Sequence, residues 1–305
     1  MIETTGTIPG EGDRPEIFFR RWVPERTPDK QRPVLAVCHG FAEHSGRYAG
    51  FARHFTGSGF SVYALDLRGH GRSGGERGFV RRLGSYAEDL RVFLDRVRGE
   101  TEAPIVLAGH SMGGAVSLIC TGKYGQSGER PEGLILSAPA LRLAVEVGFV
   151  MRALVALLAG IAPRLKAAPG VADLVSRDPA VVEEYKNDPL VYTEGTKIGM
   201  ARLLMRAEEE VFPHISGIDL PVLIIQGRED KIIDTESSRI VYETVASRDK
   251  NLKYYDGLYH EIFNEPEREE VFADAARWLE ERGFTGGRGG GKRPALDGRT
   301  EGAGI

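Results

Sequence analysis

The pentapeptide Gly109-His110-Ser111-Met112-Gly113 stands between a run that reads as a buried strand and one that reads as a helix. Upstream, Ala103-Pro104-Ile105-Val106-Leu107-Ala108 is short, apolar and β-branched without polar alternation, which suits a strand covered on both faces. Downstream, Gly113-Gly114-Ala115-Val116-Ser117-Leu118-Ile119-Cys120 is small and then apolar, as expected of a helix packed closely on a sheet. A serine hydroxyl is a weak nucleophile until it is exposed, aimed and given a base; a sharp strand-to-helix turn supplies the first two. The motif alone is unselective in a chain with 39 glycines in 305 residues, and Gly71-Arg72-Ser73-Gly74-Gly75 is a second match. No strand pattern enters that copy and no helix pattern leaves it. Context therefore selects Ser111 and makes Ser73 a loop serine.

Strand-like and helix-like segments alternate along most of the chain, the pattern of a mostly parallel central sheet flanked by helices. Strands are expected over 16–22, 33–38, 60–65, 103–108, 133–137, 221–226 and 252–255. Helices are expected over 85–98 with Ser85 as cap, from about Thr235, and over 265–282. Between 140 and 216 the alternation stops, and a helical pattern broken by Pro163, Pro169, Pro179, Pro189 and Pro213 shows no convincing strand. The reading is an α/β core over 1–139 and 217–284 with a helical cap inserted at 140–216, placed to form a lid. The stretch 285–305 has glycine and charge but almost no apolar side chains, and is expected to be a disordered tail.

Bulk properties narrow the function classes. A net charge of −4 over this length gives no electrostatic case for a nucleic-acid partner. Cys38 and Cys120 both fall in buried patterns and read as core residues of a reduced compartment. Neither a signal peptide nor a membrane-spanning run is expected, so the default is a cytoplasmic protein. No Cys/His cluster has metal-ligand spacing, and no cofactor is expected.

If Ser111 is the nucleophile, it needs an imidazole to take its proton and an acid to orient that imidazole. With this kind of turn the order along the chain is serine, acid, histidine. His39, His44, His54 and His70 precede Ser111, His110 is fixed in the turn facing the wrong way for the base, and His214 lies in the cap. His260 remains, in the loop after the strand ending near Tyr255. The acid belongs after an earlier strand, where Gln226-Gly227-Arg228-Glu229-Asp230 offers Asp230. Its rivals are Glu229, pointing elsewhere, and Asp234, which a helix start explains. The tetrahedral intermediate needs amide donors, each contributing roughly 3 kcal/mol. The Met112 N–H is one, and His39-Gly40-Phe41 offers the Phe41 N–H as the other.

At these residues the chain resembles the monoacylglycerol lipase and lysophospholipase family of the α/β-hydrolase superfamily. The resemblance rests on the run from His39 to Tyr48, on Asp66-Leu67-Arg68-Gly69-His70-Gly71-Arg72-Ser73 and on Gly109-His110-Ser111-Met112-Gly113-Gly114. Asn187-Asp188-Pro189-Leu190 and Gly257-Leu258-Tyr259-His260-Glu261 extend it over roughly 12–282. It implies the α/β-hydrolase fold and a catalytic triad of Ser111, Asp230 and His260, with Phe41 and Met112 as oxyanion donors. It also implies Glu43, Arg47, His110 and Tyr185 around the alcohol end of the substrate, although Glu43 and Arg47 pairing with each other is an equally good reading.

The expected reaction is hydrolysis of a monoacylglycerol ester through an acyl-serine. A lysophospholipase or carboxylesterase with the same triad is the alternative, and a non-catalytic ligand-binding protein of this fold the minor one. Epoxide hydrolases and dehalogenases of the fold need a carboxylate where Ser111 stands. The run from Ala153 to Ala162 is apolar nearly all round. Core burial is the commoner fate of such a helix, while the family resemblance favours a cap that takes an acyl chain or touches a membrane surface transiently.

Overall fold

The computed structural model describes residues 1–25, 32–125, 130–145, 147–168 and 170–284. The tail expected to be disordered lies outside them. In chain order the described strands are β1 (Ile2–Ile8), β2 (Ile17–Val23), β3 (Val34–Cys38), β4 (Ser61–Leu65), β5 (Ile105–His110), β6 (Gly133–Ser137), β7 (Lys166–Ala168), β8 (Thr196–Lys197), β9 (Val222–Gly227) and β10 (Lys250–Tyr255). All but β7 and β8 join one sheet in the order β1-β2-β4-β3-β5-β6-β9-β10. The pairs β1–β2 and β2–β4 are antiparallel, and every other pair in the sheet is parallel.

The described helices are α1 (Ala49–Gly57), α2 (Leu83–Arg98), α3 (Met112–Tyr124), α4 (Phe149–Ile161), α5 (Pro179–Asn187), α6 (Ile198–Met205), α7 (Ala207–Ile215), α8 (Glu236–Thr244) and α9 (Arg268–Glu281). Every residue of β3, β5, β6 and β9 is buried because helices cover both faces of the sheet. Along β3 the pleat sends Val34, Ala36 and Cys38 into the core shared with α2, α3 and α8. Leu35 and Val37 point the other way, into the aromatic layer of Phe51, Phe55 and Phe272 from α1 and α9.

The structure differs from the sequence reading in several places. The first strand, β1, is an edge strand that is exposed along most of its length and so carries little hydrophobic pattern. Within 140–216, β7 and β8 pair as a short antiparallel ribbon, too brief for any periodicity to show. Helix α2 starts at Leu83, two residues before Ser85, because the Glu210 carboxylate of α7 accepts the Leu83 amide at 2.9 Å. The 140–216 sequence also divides in two: α7 puts Ala207, Val211 and Ile215 into the main core, whereas in α4 only Val155 is buried.

Candidate active site

The turn after β5 holds Ser111 at φ 52° and ψ −120°, a conformation that a non-glycine residue adopts only under local constraint. The constraint is visible. The Ser111 amide donates to the Ser137 carbonyl at 2.9 Å, and its own carbonyl accepts the amides of Gly114, Ala115 and Ala140 at 2.9, 3.2 and 3.0 Å. The motif glycines are steric necessities. A Cβ on Gly113 would lie 2.1 Å from the Cys38 carbonyl oxygen, and one on Gly109 would lie 2.5 Å from Ser117 Oγ. Close packing of α3 on the strand ends is what turns the chain and presents Ser111.

The loops after β9 and β10 bring Asp230 and His260 together, with Oδ2 and Nδ1 2.8 Å apart. Asp230 is fixed from behind. Its Oδ1 accepts the amides of Ile232 and Ile233 at 2.9 and 3.0 Å, and its Oδ2 also accepts Gln226 Nε2 at 3.1 Å. Gln226 is held in turn by the Ile233 carbonyl and the Ser238 hydroxyl. Burial pushes the Asp230 carboxyl up, but the His260 ring and the amide donors outweigh it and hold the group below its usual range. Burial likewise disfavours charge on His260, but Asp230 together with Glu261 and Glu43 outweighs it, so the ring is more basic than usual.

The rival groups are occupied elsewhere. Glu229 accepts the Gly257 amide and Asp234 the Glu236 amide at the start of α8. His39 Nε2 accepts the Leu67 amide at 2.9 Å, and His54 meets Glu269. Ser73 Oγ accepts the Phe18 amide and donates to the Asp66 carbonyl, as a structural loop residue does.

Phe41 and Met112 both border the cavity that Ser111 and His260 line. Among the described residues neither amide donates to a protein acceptor. The loop carrying Phe41 is shaped by Glu43, whose Oε1 accepts the Gly40 amide at 2.6 Å and the Tyr48 hydroxyl at 2.9 Å. Glu43 Oε2 faces Arg47 Nε at 3.5 Å, and the guanidinium lies over the Tyr185 ring at 4.7 Å. His110 Nδ1 is 3.1 Å from Ser137 Oγ, with its ring 4.6 Å from that of His260. Glu43, His110 and Tyr185 therefore line the cavity, whereas Arg47 is not among its lining residues. Sequence reasoning missed the supporting Gln226 and Ser137, which are strand-end residues with no motif of their own.

The cavity measures about 540 Å³. Ser111 and His260 both line it, and the walls are mostly apolar, with Leu143, Val175, Leu204 and Met205 from the 140–216 segment beside Ile232 and Ile233. This is room for a chain-like apolar ligand with its polar end at the serine. Among the described residues no three His, Cys, Asp or Glu side chains are grouped as a metal site.

Residues 29–267 match the family described as Hydrolase_4, serine aminopeptidase, S33. The chain is 38% identical to a monoacylglycerol lipase of Mycolicibacterium smegmatis, over 86% of its own length and 92% of the relative's. It is 33% identical to a phospholipase of Bacillus subtilis, over 83% of its own length and 97% of the relative's. Among solved structures, a Paleococcus ferrophilus monoacylglycerol lipase superposes with a TM-score of 0.75 at 29% identity, covering 87% of this chain and 98% of that one. An elbow serine, a histidine–carboxylate pair after the last two strands and this span of similarity agree: the chain belongs to the Hydrolase_4 family, within the monoacylglycerol lipase and lysophospholipase group of the α/β-hydrolases.

Proposed function

We propose that the chain hydrolyses monoacylglycerol esters through an acyl-serine intermediate formed on Ser111. His260 Nε2 takes the Ser111 proton as Oγ attacks the ester carbonyl, while Asp230 holds the imidazole by Nδ1 and stabilises its charged form. The Phe41 and Met112 amides receive the oxyanion. Collapse breaks the ester C–O bond, His260 gives its proton to the leaving glycerol oxygen, and water repeats the sequence to release the fatty acid. The observation that carries this reading is the 2.8 Å Asp230–His260 contact at the wall of the same apolar cavity that the strained Ser111 turn lines. Similarity to the M. smegmatis enzyme supports the glyceryl monoester as substrate.

Glu43, His110 and Tyr185 would meet the alcohol end, with Arg47 holding Glu43 in place. Residues 140–216 would act as the lid. Its helix α4 exposes Phe149, Val150, Met151, Leu154, Leu157 and Ile161, a face suited to lying on a lipid surface. Among the described residues no helix is long and apolar enough to cross a membrane.

A lysophospholipid substrate is the second reading, favoured by the similarity to the B. subtilis phospholipase. A panel of monoacylglycerols, lysophospholipids, diacylglycerols and short p-nitrophenyl esters separates the two. The proposal expects the highest kcat/KM on monoacylglycerols, and a lysophospholipid preference would replace it.

A further inference from the structure

His260 is followed by Glu261, a carboxylate that the proposed triad does not use and that is nearly as buried as the histidine. Its Oε2 accepts Arg47 Nη2 at 2.5 Å and Asn264 Nδ2 at 2.8 Å, and its amide donates to the Val175 carbonyl of the cap at 2.8 Å. Arg47 faces Glu43 on its other side, and Glu43 carries the Gly40 amide at the entry to the oxyanion loop. One guanidinium thus stands between two buried carboxylates, one on the oxyanion loop and one on the His260 loop.

We infer that Glu261 is a positioning residue for the hydrolysis: through Arg47 it fastens the His260 loop to the oxyanion loop, and its negative charge favours the imidazolium that His260 becomes. The inference rests on the triad proposed above.

The charges around His260 support the second half of that statement. Asp230 faces the ring from the loop after β9, Glu261 from its own loop and Glu43 from the oxyanion turn. His110 faces it from the end of β5, and Arg47 stands behind between the two glutamates. Tyr185 of α5 lies within the field of Glu261, Glu43 and Arg47. His110 is kept neutral, because burial and then the neighbouring His260 and Arg47 oppose its protonation. Burial and the adjacent glutamates keep the Tyr185 phenol protonated. Arg47 is therefore the one cation among these groups, set against two glutamates and Asp230. A buried guanidinium that bridges two carboxylates also holds both loops in one geometry, because leaving any of the three unpaired carries a large desolvation penalty.

The test uses Glu261→Gln, which keeps the shape and one acceptor oxygen but removes the charge. The readouts are fluorophosphonate labelling and the pH profile of kcat/KM on a monoacylglycerol, with thermal unfolding to establish that each variant is folded. Glu261→Gln should move the acid limb to lower pH by about half a unit or more. Glu261→Gln should also lower kcat on the order of tenfold with little change in KM, far less than loss of the base itself. Glu261→Asp, which keeps the charge and shortens the reach, should leave the acid limb near wild type. General loosening of the fold would move the limb alike in both Glu261 variants. An unmoved acid limb in a folded Glu261→Gln variant, or a loss confined to KM, overturns the inference. Wild-type protein that fails to label at Ser111 overturns the triad reading instead.

Discussion

His44 Nε2 lies 2.8 Å from Asp188 Oδ2, joining the loop after β3 to the 140–216 segment across 144 residues of chain. The other ring nitrogen, Nδ1, accepts the Gly46 amide at 3.1 Å, which leaves the proton on Nε2 to be donated to the carboxylate. Four residues after Asp188, the Tyr192 amide donates to the Ala42 carbonyl at 2.7 Å, bracing a residue held at φ 72°. Residues 188–192 therefore lie against the loop that carries the Phe41 amide.

Replacing Asp188 with Ala should loosen that loop and strand the His44 N–H. The expected result is a fall in kcat on the order of tenfold, with substrate KM changed much less and a thermal midpoint lower by about 2–4 °C. Steady-state kinetics beside a thermal melt checks it; unchanged kcat would show that the loop holds its shape without the cap.

Gly113→Ala places a methyl group against the Cys38 and His39 carbonyls, where a Cβ has 2.1 and 2.4 Å of space. Neither carbonyl belongs to a flexible side chain, so the strand end and α3 must separate. Denaturant unfolding should show a loss of about 3 kcal/mol. Gly160→Ala in α4, where a Cβ meets nothing within 4 Å, is the matched control and should be neutral or slightly stabilising.

The Asp230–His260 pair makes opposite predictions for activity and stability. Catalysis needs the neutral ring, and Asp230 together with Glu261 and Glu43 outweighs burial to raise the His260 pKa above its usual 6.5, so the acid limb of kcat/KM should have its midpoint above that value. Stability runs the other way. The raised histidine contributes stabilisation that is fully present below pH 6.5 and is lost as pH rises through the folded value. Asp230→Asn removes the principal cause, so its acid limb, read on residual activity, should fall to lower pH.

Helix α4 supplies a lipid-surface prediction. Exchanging Phe149, Val150 and Leu157 for Ser removes exposed apolar area without touching the core, since these side chains are 61–85% exposed. Binding to phosphatidylcholine vesicles and kcat/KM on long-chain monoacylglycerols should both drop, while short soluble p-nitrophenyl esters are turned over as before. Equal losses on both substrate types would mean that α4 serves the folded cavity instead.

The parallel core and the turn at Ser111 were legible in the sequence because both depend on strong local signals. Apolar runs such as Pro221 to Gln226 need a covered strand, and the Ser111 elbow needs a strand entering and a helix leaving. Asp230 and His260 were found by their positions after strand ends. What stayed illegible depends on long-range partners. The start of α2 is set by Glu210 from 127 residues away, and the Glu43–Arg47–Glu261 chain joins residues more than 200 positions apart. Helix α9 begins at Arg268, not at Glu265, because Glu265 is fully buried and spends its carboxylate on Arg177 and the Tyr259 amide. Pro266, which disfavours helix at the residue before it, is the local hint of that later start.

The central claim is that Ser111 is the nucleophile, and covalent labelling tests it most directly. Wild-type protein treated with a fluorophosphonate probe should gain one adduct, mapped by mass spectrometry to the peptide containing Ser111. The Ser111→Ala variant should remain folded and unlabelled, and Ser73→Ala, if folded, should label as wild type does. A folded wild type that takes no label, or a Ser111→Ala variant that still does, would contradict the account.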